Sequence, residues 1–315
     1  MPSTPRRDPF DVIDRLVCGA GLVPDAIATR ADALQAVARG RGSSGPLSRA
    51  IVDALLARRG QRIALLTGFV RPDVIPCGEN DGPLGAVALA RALRRAGFLV
   101  VIHTDPQAVD HATWLAAEIG AAVPVEAIPA NPAAELGGSI DVAIAIEKPG
   151  ENIRGHLHAW SGQRIEAGSI PIDRLFVEMM ASGRLTVAIG DRGNEVGFGR
   201  IHDELVLLVP EARRCTCGCG GGIAAITSAD HLLPAAVSNW GAYGLCAGLA
   251  LATSDRSLLL RPDEEARLLN VAAVRGYRDG LLGTAAFGVD GISGSASVRV
   301  VEALRAAVAA ALERS

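Results

Sequence analysis

Hydrophobic and polar positions divide the chain into two differently patterned parts. Over the first sixty residues the apolar positions recur at helical spacing in FDVIDRLV, TRADALQAVARG and PLSRAIVDALLARRG, which predicts three helices, the second with Thr29 as its N-cap. The intervening RGRGSSGP predicts a flexible connection and a candidate hinge between the last two helices. We therefore assign residues 1–60 to an N-terminal helical extension.

From Arg62 onward, short β-rich runs alternate with helical segments. The predicted strands are RIALLTG, FLVVIHTD, AVPVEAI, SIDVAIAIE and RLTVAIGD, and helical patterns such as GPLGAVALARALRRAG and PIDRLFVEMMASG separate them. This alternation predicts right-handed crossovers and an α/β fold, a Rossmann-like three-layer arrangement of a mostly parallel sheet flanked by helices. We assign residues 61–315 to one α/β catalytic domain.

The pattern after residue 200 predicts mainly helices. LPAAVSNWGAYGLCAGLALAT reads as a buried helix, DEEARLLNVAAVRGYRDG as a surface helix, and SASVRVVEALRAAVAAALERS as a terminal helix capped by Ser295 or Ser297. GTAAFGVDGIS predicts a last strand and turn.

Composition excludes several classes of function. The chain of 315 residues has a net charge of -3 and only 3% aromatic residues, so it lacks the basic patch and stacking side chains of a nucleic-acid-binding protein. Its apolar runs are too short for a membrane span of about 20 residues, and the N-terminus does not resemble a secretory signal. We expect a cytoplasmic protein without a nucleic-acid or membrane partner, and leave a homo-oligomer open.

Carboxylates follow three of the predicted strands. Glu79 and Asp81 lie in the loop after the first strand, Glu147 ends the strand SIDVAIAIE, and Asp191 follows RLTVAIG, with Glu195 close behind. Loops after the carboxyl ends of parallel strands converge on one edge of the sheet, so these side chains are expected to share a cleft. Two plainer readings stay open: a helix N-cap for Asp81, and a solvated loop, with Lys148 and Glu151 as surface charges, for the segment that follows Glu147.

The segment IGDRGNEVGFG, residues 189–199, does not fit a phosphate-binding loop. Its glycines lack the G-x-G-x-x-G order of dinucleotide-binding loops, and the chain has no G-K-[ST] motif, since its one lysine is Lys148. Two carboxylates and the Asn194 amide within five residues suit a divalent cation such as Mg²⁺ or Mn²⁺, or a substrate with amino and carboxyl groups.

Three of the six cysteines form the run CTCGC at Cys215, Cys217 and Cys219. The spacing is not C-x-x-C, and no fourth ligand lies nearby in the sequence. We interpret this run as a glycine-rich turn that carries free thiols rather than as a metal site.

Five segments, taken in order, resemble one known family. ENDGPLGA, IAIEKPG, IGDRGNEVGFG, SNWGAYGL and GVDGI resemble motifs of the D-glutamate cyclase family, in the stand-alone form of its C-terminal catalytic module. The resemblance extends from about Thr67 to the C-terminus. It implies a lyase that closes D-glutamate to 5-oxo-D-proline and water, assisted by a divalent cation such as Mn²⁺. Two residues depart from the family pattern: Asn80 stands in place of threonine, and Arg192 in place of glycine.

The resemblance and the chemistry together suggest a role for each candidate. Glu147, Asp191 and Glu195 are the catalytic candidates, with Glu147 as general base or amine anchor. The cation ligands would be Glu79, Asp81, Asp191 and Glu195. The amino dicarboxylic acid substrate would be bound by a further group of side chains: Lys148, Arg192, Asn194, Asn80, Ser238 and Asn239. The alternatives are a metal-assisted hydrolase, a cyclase of another amino dicarboxylate, or a Rossmann-like regulatory module that binds a metabolite.

Overall fold

A computed structural model describes residues 8–41 and 45–314 of the protein. Residues 1–7, which begin the segment compared with a secretory signal, and residues 42–44 of the candidate hinge lie outside the described residues. The described part of the N-terminal segment forms α1 (Pro9–Val17), α2 (Asp25–Gly40) and α3 (Leu47–Leu56). Thr29 lies inside α2 and does not cap it: the helix begins at Asp25, and Pro24 holds the N-cap position without a side-chain hydrogen bond.

The predicted parallel sheet is present in the described part of the chain. Its six strands are all parallel and lie in the order β3-β2-β1-β4-β5-β6. They are β1 (Arg62–Thr67), β2 (Leu99–Thr104), β3 (Val125–Ala127), β4 (Val142–Ile146), β5 (Leu185–Gly190) and β6 (His231–Pro234). Every residue of β4 and β5 is buried, as expected for strands that are covered on both faces.

Helices cover both faces of the sheet and complete a three-layer α/β fold. They are α4 (Pro83–Arg95), α5 (Val109–Glu118), α6 (Pro132–Leu136), α7 (Asp173–Ala181), α8 (His202–Leu208), α9 (Ser238–Thr253), α10 (Pro262–Val274) and α11 (Gly294–Leu312). None of the helices in the described ranges combines the length and the apolar character needed to cross a membrane.

The N-terminal helices share their core with the sheet. Phe10, Ile13, Val17 and Leu34 belong to the same buried hydrophobic cluster as the side chains of the central strands, and α1 packs against α9 and α11. The division into an extension and a catalytic domain stays a prediction.

Two details of the C-terminal third differ from the sequence interpretation. Leu233 and Pro234, the first two residues of the predicted buried helix, belong to β6, and α9 begins only at Ser238. Short apolar runs do not distinguish a strand from a helix. Ser293 precedes α11, so neither Ser295 nor Ser297 caps it. The predicted last strand and turn is the separate antiparallel hairpin of β7 (Gly288–Val289) and β8 (Ile292–Ser293), and its turn carries Asp290.

Candidate active site

The candidate site lies where the strand order changes direction. From β1 the chain builds outward to β2 and β3, whereas β4 lies on the other side of β1 and leads to β5 and β6. The loops after β1 and β4 therefore diverge and leave a crevice at the carboxyl ends of the strands. The structure brings Glu79, Glu147 and Asp191 together there, from the loops that follow β1, β4 and β5.

Six buried carboxylates surround this crevice, and we call them the acidic ring. No member has a relative exposure above 9%. Within each of two sets, the carboxylate oxygens lie within 4.8 Å of one another. One set is Asp81, Asp191 and Asp290, and the other is Glu147, Asp191 and Glu195. The members of the ring are Glu79, Asp81, Glu147, Asp191, Glu195 and Asp290. Asp290 was not assigned a role from the sequence, although it lies in the GVDGI segment on which the family resemblance partly rests.

Asp81 is held by main-chain N–H groups at the start of α9. Its Oδ1 accepts from the N–H groups of Gly82 (2.9 Å) and Asn239 (2.8 Å), and its Oδ2 accepts from the N–H of Ser238 (2.9 Å). The carboxylate therefore joins the loop after β1 to the N-terminus of α9, where negative charge is stabilised.

Glu195 closes the loop after β5. Its Oε1 accepts from the N–H groups of Asp191 and Arg192, both at 3.1 Å, and its Oε2 accepts from the N–H of Gly193 at 2.7 Å. These bonds fix the main chain beside Asp191. The predicted pairing of Glu195 and Asp191 is thus a close contact in which Glu195 holds the loop that presents Asp191.

Several buried oxygens of the site have no hydrogen-bond partner within the described residues. They include both carboxylate oxygens of Asp191, Oε1 of Glu79, and the side-chain amide oxygens of Asn80 and Asn194. Buried oxygens are almost always satisfied in proteins, and hard divalent cations such as Mn²⁺ or Mg²⁺ take carboxylate and amide oxygens as ligands. The residues present therefore fit a divalent cation.

Electrostatics make the ring favour protons or a bound cation. Burial raises the pKa of Asp191 to about 6, although Arg192 opposes the rise. Burial likewise raises the pKa of Asp290 to about 7, against the opposing charge of Arg192 and with a further rise from Asp191. For Glu147, burial and then the charges of Glu195 and Asp191 raise the pKa well above its ordinary value.

The two carboxylates after β1 share this behaviour. Burial, followed by the negative charge of Asp290, raises the pKa of Glu79 and of Asp81 well above their ordinary values. With all six members ionised, the ring would place six negative charges in a region of low dielectric, which is costly without compensation. A bound divalent cation and Arg192 would together offset three of these charges.

Arg192 faces the ring as a positive charge. Its Nη2 lies 2.9 Å from Oδ2 of Asp290, and its Nε lies 3.4 Å from Oδ2 of Asp191. The guanidinium carbon lies 5.3 Å from the ring centroid of Trp160, within the range of a cation–π contact. The large residue that departs from the family pattern is therefore fixed between two acids and an aromatic side chain.

Glu147 presents a carboxylate at the mouth of the ring. Its main chain is left-handed, with φ of 48°, a conformation that is uncommon for residues other than glycine and that is concentrated at functional sites. Ser238 Oγ donates a hydrogen bond to Glu147 Oε2. Ser238 thus contacts two members of the ring, Glu147 through its hydroxyl and Asp81 through its N–H, and it is not among the residues that line the cavity.

A cavity of about 230 Å³ opens over the ring. This volume is below the range of about 300 to 1,000 Å³ that is usual for drug-sized ligands, so it suits a small metabolite. Its polar lining includes Glu79, Glu147, Arg192, Asn194 and Asp290. Charged groups and an amide therefore converge on one small space.

Lys148 is not available to bind a carboxylate of a substrate. Its Nζ donates to Oδ1 of Asp105 (2.7 Å), to Oδ2 of Asp105 (2.8 Å) and to the carbonyl oxygen of Gly68 (3.0 Å), and both charged side chains are completely buried. The predicted substrate-binding role of Lys148 disagrees with this geometry. The residue joins the chain after β4 to the chain after β1 and β2.

Asn239 and Asn80 also serve the framework of the site. Asn239 Oδ1 accepts from the N–H groups of Gly82 (2.9 Å) and Gly85 (2.7 Å), and its Nδ2 donates to the carbonyl oxygen of Asn80 (2.9 Å). Asn80 Nδ2 donates to the carbonyl oxygen of Gly288 (2.6 Å). The Asn239 amide therefore holds main-chain groups of the loop after β1 and of α4, and its predicted substrate contact stays a prediction; Asn80 keeps its side-chain oxygen without a hydrogen-bond partner among the described residues.

The chain is similar to known proteins over most of its length. A family described as "D-glutamate cyclase-like, C-terminal" matches residues 39–305, a range that contains the whole acidic ring. The human protein named "D-glutamate cyclase, mitochondrial" is 29% identical over 217 residues, which cover 62% of this chain and 34% of the human protein. The match thus spans about one third of the length of that relative.

Proposed function

The chain belongs to the D-glutamate cyclase-like C-terminal family, and from this premise we propose that it closes D-glutamate to 5-oxo-D-proline with release of water. The observation that carries the proposal is the acidic ring, with its unpartnered oxygens and with Arg192 at the edge of a small cavity. The name of the human relative supports the substrate. The match covers 34% of that relative, so its activity is carried over to this chain only as part of the proposal.

The reaction joins the amine nitrogen of the substrate to its own γ-carboxyl carbon. A C–N bond forms, one C–O bond of the γ-carboxyl group breaks, and a five-membered lactam results. The two protons lost by the ammonium leave with the released oxygen as water, so the protein returns to its starting protonation state. Positioning the two ends of a flexible substrate accounts for much of such a barrier, about 7 kcal/mol or more in well-oriented cases.

Glu147 is the proposed general base. Its carboxylate lines the cavity, and burial together with the neighbouring acids raises its pKa well above the ordinary value, which makes the carboxylate a stronger base. Because Ser238 Oγ donates to Oε2 of Glu147, we assign the proton from the ammonium to Oε1. The same atom then returns this proton to the departing oxygen, and it takes the second ammonium proton after the C–N bond forms and passes it to the same oxygen, which leaves as water.

Arg192 and Asn194 are proposed to orient the substrate. Arg192 is one of two arginines that line the cavity, and it is the one that pairs with the acidic ring. Burial lowers its pKa, but the carboxylates of the ring raise the pKa overall, so the guanidinium stays charged. Its planar guanidinium suits a carboxylate. Asn194 Nδ2 donates to the carbonyl oxygen of His158 (3.1 Å), which leaves its buried Oδ1 to accept a hydrogen bond from the substrate ammonium.

A divalent cation is proposed as the cofactor, with Mn²⁺ as the first choice. Glu79, Asp191 and Asp290 would hold it, because Asp81 and Glu195 each already accept three main-chain hydrogen bonds and fix the loops of the ring. When bound, the cation would act as a Lewis acid that polarises the γ-carboxyl group.

Product analysis tests this function. The purified protein is incubated with D-glutamate, L-glutamate, D-aspartate and D-2-aminoadipate, each with Mn²⁺ and with a chelator, and the products are separated by chiral chromatography. We expect 5-oxo-D-proline from D-glutamate in the presence of Mn²⁺. Turnover of another dicarboxylate alone would identify a cyclase of different specificity, and no turnover of any of the four would reject the proposed function.

A further inference from the structure

A second cluster of potential metal ligands lies outside the acidic ring. The Nε2 atom of His158 and the Sγ atoms of Cys215, Cys217 and Cys219 all lie within 4.8 Å of one another. His158 comes from the loop after β4, whereas the three thiols come from the segment between α8 and β6. The sequence did not reveal this fourth ligand, because His158 precedes the thiols by 57 to 61 residues. It contacts Cys217 and Cys219, which lie 59 and 61 residues further along the chain.

The separations between these atoms match a tetrahedral zinc site. Zn–S bonds of about 2.3 Å and Zn–N bonds of about 2.0 to 2.1 Å place neighbouring ligand atoms roughly 3.5 to 3.8 Å apart. Here His158 Nε2 lies 3.3 Å from Cys217 Sγ and 3.9 Å from Cys219 Sγ. Cys215 Sγ lies 3.5 Å from Cys219 Sγ.

The groups around the cluster orient its ligands. His158 Nδ1 lies 3.2 Å from the carbonyl oxygen of His156; an N–H at Nδ1 that donates there leaves the lone pair of Nε2 facing the thiols, as in most histidine metal ligands. The N–H of Gly221 donates to Cys219 Sγ (3.4 Å), and Asn152 Nδ2 donates to the same sulfur (3.5 Å). These donors would stabilise a thiolate.

We propose that His158, Cys215, Cys217 and Cys219 form a Cys₃His zinc site. Four protein ligands fill a tetrahedral coordination shell and leave no open position, so the site is structural rather than catalytic. Three thiolates and one imidazole also favour zinc over the hard cations that suit the acidic ring.

The position of the cluster indicates what the zinc would hold together. The carbonyl oxygen of His158 accepts from Asn194 Nδ2 (3.1 Å), and Trp160, two residues further on, lines the cavity and contacts Arg192. A zinc ion would fasten the thiol-bearing segment to the loop that forms this wall of the cavity. The site would thus support the active-site wall without contacting the substrate.

The first test measures zinc content and the type of ligation. Protein purified in a reducing buffer without chelator should contain about one zinc per chain by elemental analysis. Zinc-free reduced protein titrated with Co²⁺ should show sulfur-to-cobalt charge transfer and the d–d bands of tetrahedral cobalt. The cobalt spectrum separates this site from the oxygen ligands of the acidic ring.

Variants locate the ion. Cys217→Ser should abolish the cobalt–thiolate spectrum, whereas the matched control Cys77→Ser, a thiol outside the cluster, should keep it; Asp191→Asn should keep it as well. If Cys217→Ser does not fold, the titration of wild-type protein alone decides. Absence of a thiolate spectrum, an unchanged spectrum in Cys217→Ser, an iron chromophore, or a Cys215–Cys219 disulfide in freshly purified reduced protein would overturn the proposal.

Discussion

Replacing Lys148 by methionine separates a structural role from the substrate-binding role that the sequence suggested. Methionine keeps an unbranched side chain of similar length but removes the charge and all three hydrogen bonds to Asp105 and Gly68. Asp105, with no exposed surface, would then be a buried carboxylate without a cationic partner. Its remaining donors are the N–H of Ile170 (2.8 Å) and Oγ of Ser169 (3.3 Å).

The expected loss of stability in Lys148→Met follows from the burial of this ion pair. Removing one partner of a buried ion pair costs about 3 to 5 kcal/mol, because the other charge is left uncompensated. With an unfolding entropy of about 2.1 cal/mol/K per residue, a chain of 315 residues should lose roughly 5 to 8 °C of Tm. The double variant Lys148→Met/Asp105→Asn should lose less stability than the sum of the losses in the two single variants, because neither remaining side chain is a buried charge without a partner.

The assay is urea and thermal denaturation followed by circular dichroism, together with kcat and KM for D-glutamate. Arg174→Met is the matched control: Arg174 pairs with Glu178 at 2.7 Å on an exposed helix face, and loss of such a pair should cost no more than about 0.5 kcal/mol. If Lys148→Met changed stability by less than about 1 kcal/mol but raised KM strongly, the structural reasoning would be wrong and Lys148 would be a substrate ligand.

Two further predictions concern the acidic ring. First, the pKa values of Asp191 (about 6) and Asp290 (about 7) are raised, so the folded, metal-free protein holds protons that the unfolded chain has already lost. Denaturation in the presence of a chelator should therefore show the free energy of unfolding falling as pH rises from about 4 to 7. Added Mn²⁺ should reverse this trend, and a free energy of unfolding that rises with pH in chelator would contradict it. Second, a Cβ on Gly280 would lie 1.8 Å from Glu79 Oε2 and would displace that side chain, whereas a Cβ on Gly138 meets no atom within 4 Å. Calorimetry should therefore show weaker Mn²⁺ binding by Gly280→Ala and unchanged binding by the control Gly138→Ala. Equal affinities of the two variants would remove Glu79 from the proposed ligands.

The sequence was sufficient to predict the sheet and the meeting of three acids at its edge. Uninterrupted apolar strands such as VAIAI require cover on both faces, and parallel strands place the loops after them on one side. Glu79, Glu147 and Asp191 could therefore be expected to meet before their contacts were known. The short strand β6 could not be separated from the helix that follows it, because both are apolar.

Side-chain direction and long-range partners could not be predicted. Glu147 and Lys148 are adjacent in the chain, yet one faces the cavity and the other a buried carboxylate; the left-handed main chain at Glu147 that accompanies this divergence has no signal in the sequence. Asp290 reaches the ring from the turn of the β7–β8 hairpin, and His158 reaches the thiols because the loop after β4 folds back against their segment. Both positions depend on tertiary packing.

The most direct test of the account compares the rate of 5-oxo-D-proline formation from D-glutamate in wild-type protein with Mn²⁺, in Asp191→Asn, and in Asp263→Asn as an exposed carboxylate control. Replacing a proposed cation ligand should cost more than the roughly 100-fold seen at most for residues that only support metal ligands. We predict such a loss in Asp191→Asn with its fold intact by circular dichroism, and no loss in the control. Near-normal turnover by a folded Asp191→Asn protein would contradict the claim that the acidic ring is the catalytic centre.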